Sequence, residues 1–286
     1  MRILITGANG QLGSEIRALT LFYPKFNFFF ANSQELNICN YKSLRNYASQ
    51  NLIEVIINCA AYTAVDKAEN NIEIATQIND IGVENIVKVI QAVNGRLIHI
   101  STDYVFNGNH FHPYLEEDLV SPIGVYGKTK RSGEEKVLNA DINSIVIRTS
   151  WLYSSFGTNF VKTMLRLGKE RAELGVVFDQ VGTPTYAKDL AVACLEILSK
   201  EEQLNKKSSL YHFSNEGVAS CYDFAKAIMQ ISSINCSVKP IESKDYPTIA
   251  ERPFYSVLNK SKIKSHFQIQ IPYWRDSLQK CISQLQ

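Results

Sequence analysis

Residues 2–13 read Arg2-Ile-Leu-Ile-Thr6-Gly7-Ala-Asn-Gly10-Gln-Leu-Gly13. A short apolar strand runs straight into a glycine-rich turn, and an amphipathic stretch of helical period follows from Ser14 to Leu21. Glycines at a strand-to-helix turn permit tight backbone geometry, close approach of an anion, and close packing of helix on strand. The helix then aims its first N–H groups at that anion, as a pyrophosphate site requires. The spacing is G-x-x-G-x-x-G rather than the more familiar G-x-G-x-x-G, and taken alone it also fits a structural turn in another α/β protein. Read as a dinucleotide site, it makes Gly7, Gly10 and Gly13 the glycines of that turn.

Further along, apolar runs at 3–6, 26–31, 55–58, 97–101 and 144–148 alternate with helical patterns at 11–21, 41–50, 73–93 and 122–139. Continuous apolar strands alternating with helices predict a parallel sheet covered on both faces, an α/β doubly wound Rossmann-type fold. Such a sheet binds ligands outside the carboxyl ends of its strands. After Arg148 the rhythm changes to loops and short strands, with helical patterns at 186–199, 221–231 and 274–285. We therefore expect a dinucleotide-binding domain over 1–150 and a smaller mixed α/β substrate domain over 151–286, some of whose elements return to the main sheet.

A second motif lies downstream. Ser101-Thr102-Asp103-Tyr104-Val105-Phe106 ends the fourth apolar run, and Tyr126-Gly-Lys-Thr-Lys130 follows. Residues four apart share a helix face, so Tyr126 and Lys130 can act on one bound molecule. A free phenol has a pKa of about 10, and a nearby ammonium is expected to lower it, making Tyr126 a proton donor and acceptor. Thr102 can hydrogen-bond the same substrate oxygen. The glycine turn would bring a hydride source beside this carbonyl-reducing site.

The other positions are less singular. Cys59, Ala60 and Ala61 are small enough for a dinucleotide to lie on their backbone, with Tyr62 and Thr63 as polar contacts; the same loop could equally be packing. Asp66 and Glu69 fit either ligand contact or the charge preference of a helix start. After the second strand, Ala31-Asn32-Ser33-Gln34 contains neither acid nor Arg, and Ser33 or Asn32 could bind a phosphate, which leans the cofactor from NADH toward NADPH. His99 reads as a core or sheet-face residue. Trp151 could wall a sugar pocket or pack in the core, and Arg252 could grip a phosphate bidentately or sit on the surface.

The 286 residues are 45% hydrophobic and 20% charged, with a net charge of +2. This is ordinary for a soluble protein and gives no field for nucleic acid; Lys260, Lys262 and Lys264 read as solvated surface. Six scattered cysteines lack metal-ligand spacing and are expected to be reduced and mostly buried. No apolar run approaches the ~20 residues of a membrane span, and a strand beginning at Arg2 leaves no room for a signal peptide. The expected setting is cytoplasmic, with no membrane or nucleic-acid partner.

With these residues placed, the chain resembles the extended short-chain dehydrogenase/reductases, and among them the dTDP-4-dehydrorhamnose reductases, along nearly its whole length. The strings that carry the resemblance are Gly7-x-x-Gly-Gln-Leu-Gly, the 58–69 loop, 101–108, Tyr126-Gly-Lys-Thr-Lys130, Gly182-Thr-Pro-Thr185 and Arg252-Pro-x-x-Ser-x-Leu. The resemblance implies that Tyr126 donates the proton, Lys130 holds the nicotinamide ribose and tunes Tyr126, and Thr102 aligns a C4 carbonyl. Gly10, Gln11, Leu12, Ala61, Tyr62 and Thr63 would line the cofactor, while Asp103 and Trp151 would contact a nucleotide sugar. Two departures stand out. Leu36-Asn37-Ile38 replaces the family's Leu-Asp-Ile, whose Asp helps hold the adenine, so Asn37 and Ile38 take that place. Some members also hold magnesium through helix glutamates at a dimer interface. Glu15 fits the first of these, whereas Lys188-Asp189 stands where another would be, which leaves Mg2+ an open possibility in a monomer or homodimer.

The implied reaction is reduction of dTDP-4-dehydro-β-L-rhamnose to dTDP-L-rhamnose by NADPH or NADH, for cell-surface polysaccharide. The alternatives are a reductase of another nucleotide-linked 4-keto-6-deoxysugar, or a non-catalytic NADP-binding regulatory subunit. A 4,6-dehydratase is disfavoured because Asp103 is followed by Tyr104 rather than by a second acid.

Overall fold

Ile3 and Ile5 point to one side of the first strand and Leu4 to the other, and all three are fully buried. This is what a strand covered on both faces demands. The computed structural model describes residues 1–200 and 207–285. Its central sheet is six-stranded and wholly parallel. The strands are β1 (Arg2–Thr6), β2 (Asn27–Ala31), β3 (Val55–Asn58), β4 (Arg96–Thr102), β5 (Asn143–Thr149) and β10 (Ser209–His212), in the order β10-β5-β4-β3-β1-β2. The chain passes from β1 outward to β2 and then back to β3 on the other side. The crevice where ligands bind such sheets therefore opens above β1 and β3.

On one face Ile3, Ile5, Val55, Ile57, Ile98 and Ile147 pack against α1 (Gln11–Leu19) and, from the second half of the chain, α8 (Ala187–Ser199). On the other, Leu4, Ile56, Leu97 and Val146 meet α2 (Tyr41–Gln50), α5 (Gly82–Val93) and α6 (Val125–Leu138). The pattern expected over 73–93 is broken into α4 (Ile72–Thr76), a π-helical turn at Gln77–Ile81, and α5. Asn94, left-handed at φ 49°, and Gly95, whose N–H donates to the Ile90 carbonyl, close α5. A short α3 (Val65–Asn70) precedes α4 and had no clear period in the sequence.

The remaining elements build a smaller unit beside the strand ends. It holds β6 (Leu152–Tyr153) paired with β9 (Thr185–Tyr186), β7 (Glu173–Val177) with β12 (Ser237–Ile241), and β8 (Val181–Gly182) with β11 (Ala219–Ser220). Its core joins α7 (Phe160–Glu170), α9 (Cys221–Ile231) and α11 (Trp274–Ser283). A capping box of Ser220 and Asp223 starts α9. The short α10 (Ser261–Phe267) packs on the main sheet beside β10 through Ile263 and Phe267.

Two expectations are corrected here. Lys260 is buried rather than solvated, because its ammonium reaches Glu216 at 3.5 Å and the Asn215 carbonyl. Of the six free thiols only Cys194 and Cys281 are fully buried; the other four sit at partly covered positions. No helix among the described residues is long and apolar enough to cross a membrane.

Candidate active site

Gly7 takes φ 64°, and a Cβ there would lie 2.6 Å from the Ala60 nitrogen. Only glycine lets the β1–α1 turn lie so close to the loop after β3. Gly10 caps α1 without a side-chain hydrogen bond, so the first N–H groups of the helix face outward with no capping side chain. In front of them opens a cleft of about 570 Å³, lined at this end by Gly10, Gln11, Leu12, Gly13, Ala61 and Thr63. An uncapped helix N-terminus over a glycine-tight turn suits a dinucleotide diphosphate.

Thr102, Asp103, Tyr126, Lys130 and Trp151 line the same cleft at its other end. Here β4 stops, and a single 3-10 turn at Asp103–Val105 carries Tyr104 beneath α6. Gly127 makes this possible, since a Cβ on it would be 2.2 Å from the Tyr104 carbonyl oxygen. The Tyr104 and Tyr126 rings meet edge to face at 5.4 Å. Lys130 donates from Nζ to the Ile100 carbonyl at 2.7 Å.

The electrostatics amend one expectation. Burial pushes the Tyr126 phenol up to about 12, against the opposing effect of the Thr102 hydroxyl. The expected lowering by Lys130 does not offset this; that ammonium is bonded to the Ile100 carbonyl. Lys130 itself is pulled down to about 8 by burial. Asp103 is raised to about 6, again by burial, against the opposing effect of the Ser256 and Thr102 hydroxyls; its Oδ1 accepts from the Thr102 hydroxyl at 3.1 Å. The site thus holds a protonated phenol beside a readily titrated ammonium and carboxylate.

Trp151 stands at φ 45°, a left-handed conformation that costs a bulky residue energy. Its ring fits against Gly182, where a Cβ would be 2.8 Å from Cε2. From there it borders both the main cleft and an adjoining alcove of about 190 Å³ that includes Arg252. Asp66 and Arg252, read separately from the sequence, are partners: Nη2 donates to Oδ2 at 2.8 Å and Nη1 to Oδ1 at 3.2 Å.

Several expected contacts lie outside the cleft lining. Tyr62 is held through its backbone by the buried Asn79 amide, and Ala60 donates its N–H to Asn58. Ser33 is exposed; Asn37 accepts from the Cys39 N–H in a local turn. The Ile38 side chain is buried in the core, and its carbonyl accepts from Asn85. An acid also stands one residue beyond the stretch read as acid-free. Glu35 folds back to accept from the Asn32 N–H at 3.0 Å. His99 is buried, bonded to Asn58 at 3.0 Å and held well below the usual histidine range by burial, in keeping with a sheet residue.

The sequence reading missed the turn at 154–159. Gly157, Thr158 and Asn159 line the cleft, and the Asn159 amide donates to Gln11 Oε1 at 2.9 Å and to the Ser154 carbonyl at 2.7 Å. The available signal was Asn159 as an N-cap before the apolar period of α7. Glu15, the carboxylate implied for a metal, is buried and accepts from the Ser154 hydroxyl at 2.6 Å. It is thereby committed within the protein. Among the described residues no three His, Cys, Asp or Glu side chains are grouped to hold a metal ion.

A family model described as RmlD substrate binding domain matches residues 1–286. The chain belongs to this family. As a member of the RmlD family it is similar to a dTDP-4-dehydrorhamnose reductase of Aggregatibacter actinomycetemcomitans, with 40% identity over 97% of each chain. Among solved structures, the dTDP-4-dehydrorhamnose reductase of Clostridium acetobutylicum superposes with a TM-score of 0.94 at 40% identity, covering 100% of this chain and 99% of that one. The reductase of Bacillus anthracis, solved in complex with NADP, gives 0.93 at 37% identity over 99% of each. These two solved reductases thus share the fold described above over nearly the whole of each chain.

Proposed function

We propose that this chain reduces the C4 carbonyl of dTDP-4-dehydro-β-L-rhamnose to give dTDP-L-rhamnose, with NADPH as hydride donor, in the cytoplasm. The observation that carries the reading is one cleft with an uncapped helix N-terminus at one end and Thr102, Tyr126 and Lys130 at the other. A reduced nicotinamide supplies the hydride when bound. The N–H groups at the start of α1 would hold the diphosphate, and the 60–63 backbone would lie along the cofactor. The exposed Ser33 and Asn37, after β2, would meet the adenosine end, with Ile38 beneath them in the core.

At the reacting end, Thr102 orients the carbonyl oxygen and Tyr126 protonates it as negative charge develops there. A phenol raised to about 12 is protonated throughout the neutral range, as a reduction needs. Lys130 supplies positive charge beside the nicotinamide ribose. Asp103 and Trp151 hold the sugar, and Arg252 in the alcove meets the substrate diphosphate. The residue after Asp103 is Tyr104, whose phenol is buried and raised in pKa, so the acid–base pair of a dehydration is missing there.

The test is direct. Purified protein is given NADPH or NADH with dTDP-4-dehydrosugars, the nicotinamide absorbance is followed and the products are resolved by NMR. Consumption of NADPH with formation of dTDP-L-rhamnose is expected. Binding of cofactor without turnover of any sugar would overturn the reading in favour of a regulatory subunit.

A further inference from the structure

Lys130 sits at the heart of the proposed site, yet the charge that surrounds it comes from behind. One helical turn further along the same face of α6 stands Glu134, with no exposed surface. Its carboxylate is gripped by Arg148 of β5, from Nε to Oε1 at 2.8 Å and from Nη2 to Oε2 at 2.9 Å. Arg131 adds a third bond, from Nη1 to Oε2 at 3.0 Å. Arg148 is 1% exposed, lies over the Phe106 ring at 5.0 Å and approaches His212 Nε2 at 3.5 Å.

For stability alone this is a poor arrangement. Two fully buried charges lose hydration that their attraction scarcely repays, and apolar residues of similar size often serve as well. The pair therefore invites a functional reason, and Lys130 supplies one. The titratable groups packed near it lie on β4, in the loop after β3 and on α6. His99 on β4 is neutral, and burial holds the Cys59 thiol, after β3, far above its usual range and uncharged. Tyr126 on α6 is a protonated phenol. Arg148 on β5 acts through Glu134. Among the described residues Glu134 is the one carboxylate that acts on Lys130, and it opposes the burial that drains the ammonium of its proton.

We infer that Glu134 is a positioning residue of the reduction, held by Arg148 so that its negative charge keeps Lys130 protonated inside a water-poor site. The inference deepens the proposed reaction and rests on it for the role of Lys130. Arg148 fixes the direction of the carboxylate and keeps it ionised, so the anion is present whether the cleft is empty or filled.

The experiment compares the wild type with Glu134→Gln and with the double variant Glu134→Gln, Arg148→Met, which leaves no unpaired guanidinium. Two pH profiles are recorded, kcat/KM for reduction and Kd for NADPH from its fluorescence. In Glu134→Gln the alkaline limb of both is expected to move down by about one pH unit, and by less in the double variant, which loses a positive charge along with the negative one, while Glu134→Asp keeps it near the wild-type position. Because the second profile needs no sugar, it tests the inference even if the substrate has been misassigned. Loss of activity equal at every pH, an unmoved alkaline limb, or failure of both variants to fold would make the pair merely structural and overturn the inference.

Discussion

Asp66 and Arg252, which lines the alcove, lie 186 residues apart in the chain and meet in a two-pronged ion pair. Asp66 also accepts from the Ala250 N–H at 3.1 Å, so the α3 end of the dinucleotide unit is tied to the late segment that walls the alcove. The Arg252 side chain is 24% exposed and that of Asp66 40%, so water competes for both. A pair of this kind contributes only about 0–1 kcal/mol. Arg252→Ala is therefore expected to change the melting temperature little. By removing the alcove's guanidinium it should raise KM for the dTDP sugar about tenfold, roughly the worth of one charge-assisted hydrogen bond. An unchanged KM would leave Arg252 as an anchor for Asp66 alone.

Tyr126→Phe keeps the ring that packs on Tyr104 and removes only the acid. Its kcat is expected to fall about 10²- to 10⁴-fold, with NADPH affinity unchanged in a fluorescence titration. A rate within twofold of wild type would move the proton donor elsewhere.

Asp103 gives the site an acid-side pH dependence. Its folded pKa, raised to about 6, lies above the ordinary 3.8, so its carboxylate is ionised only above about pH 6. If the ionised form receives a substrate hydroxyl, kcat/KM falls as pH drops below about 6, and Asp103→Asn abolishes that limb. Stability runs the other way. The folded state binds the proton more tightly than the unfolded one, so this contribution is complete below pH 3.8 and is lost as pH rises through about 6. Asp103→Asn should accordingly melt higher than wild type at pH 8 and lose that advantage at pH 4.

Glu15 follows the same sign. Burial raises its pKa above 4.5 despite the Ser154 hydrogen bond, so stability falls as pH rises past that value. Glu15→Gln keeps an oxygen to accept from Ser154 and removes the buried charge. Thermal melts should show it more stable than wild type at pH 8, with the gain shrinking toward pH 4. Since Glu15 is engaged with Ser154, a chelator such as EDTA is expected to leave the reduction rate unchanged, and a loss of rate restored by Mg2+ would refute this.

Features governed by short-range geometry could be read from the chain alone. Strands β1 to β5 were legible as apolar runs and α2 and α9 as periods of 3.6, because burial on two faces or one stripe imposes those patterns locally. Gly7 to Gly13 announced the turn, and four-residue spacing put Tyr126 and Lys130 on one helix face. The packed fold settled what depends on partners distant in the chain. It brought Ser209–His212 back as the sixth strand, twisted Trp151 into the cleft wall, and joined Asp66 to Arg252 and Glu134 to Arg148. It also reversed the expected charge balance at Tyr126, because a pKa follows from how much water is lost and which dipoles replace it. Spacing can place two groups on one face, but the surrounding fold sets the dielectric in which they act.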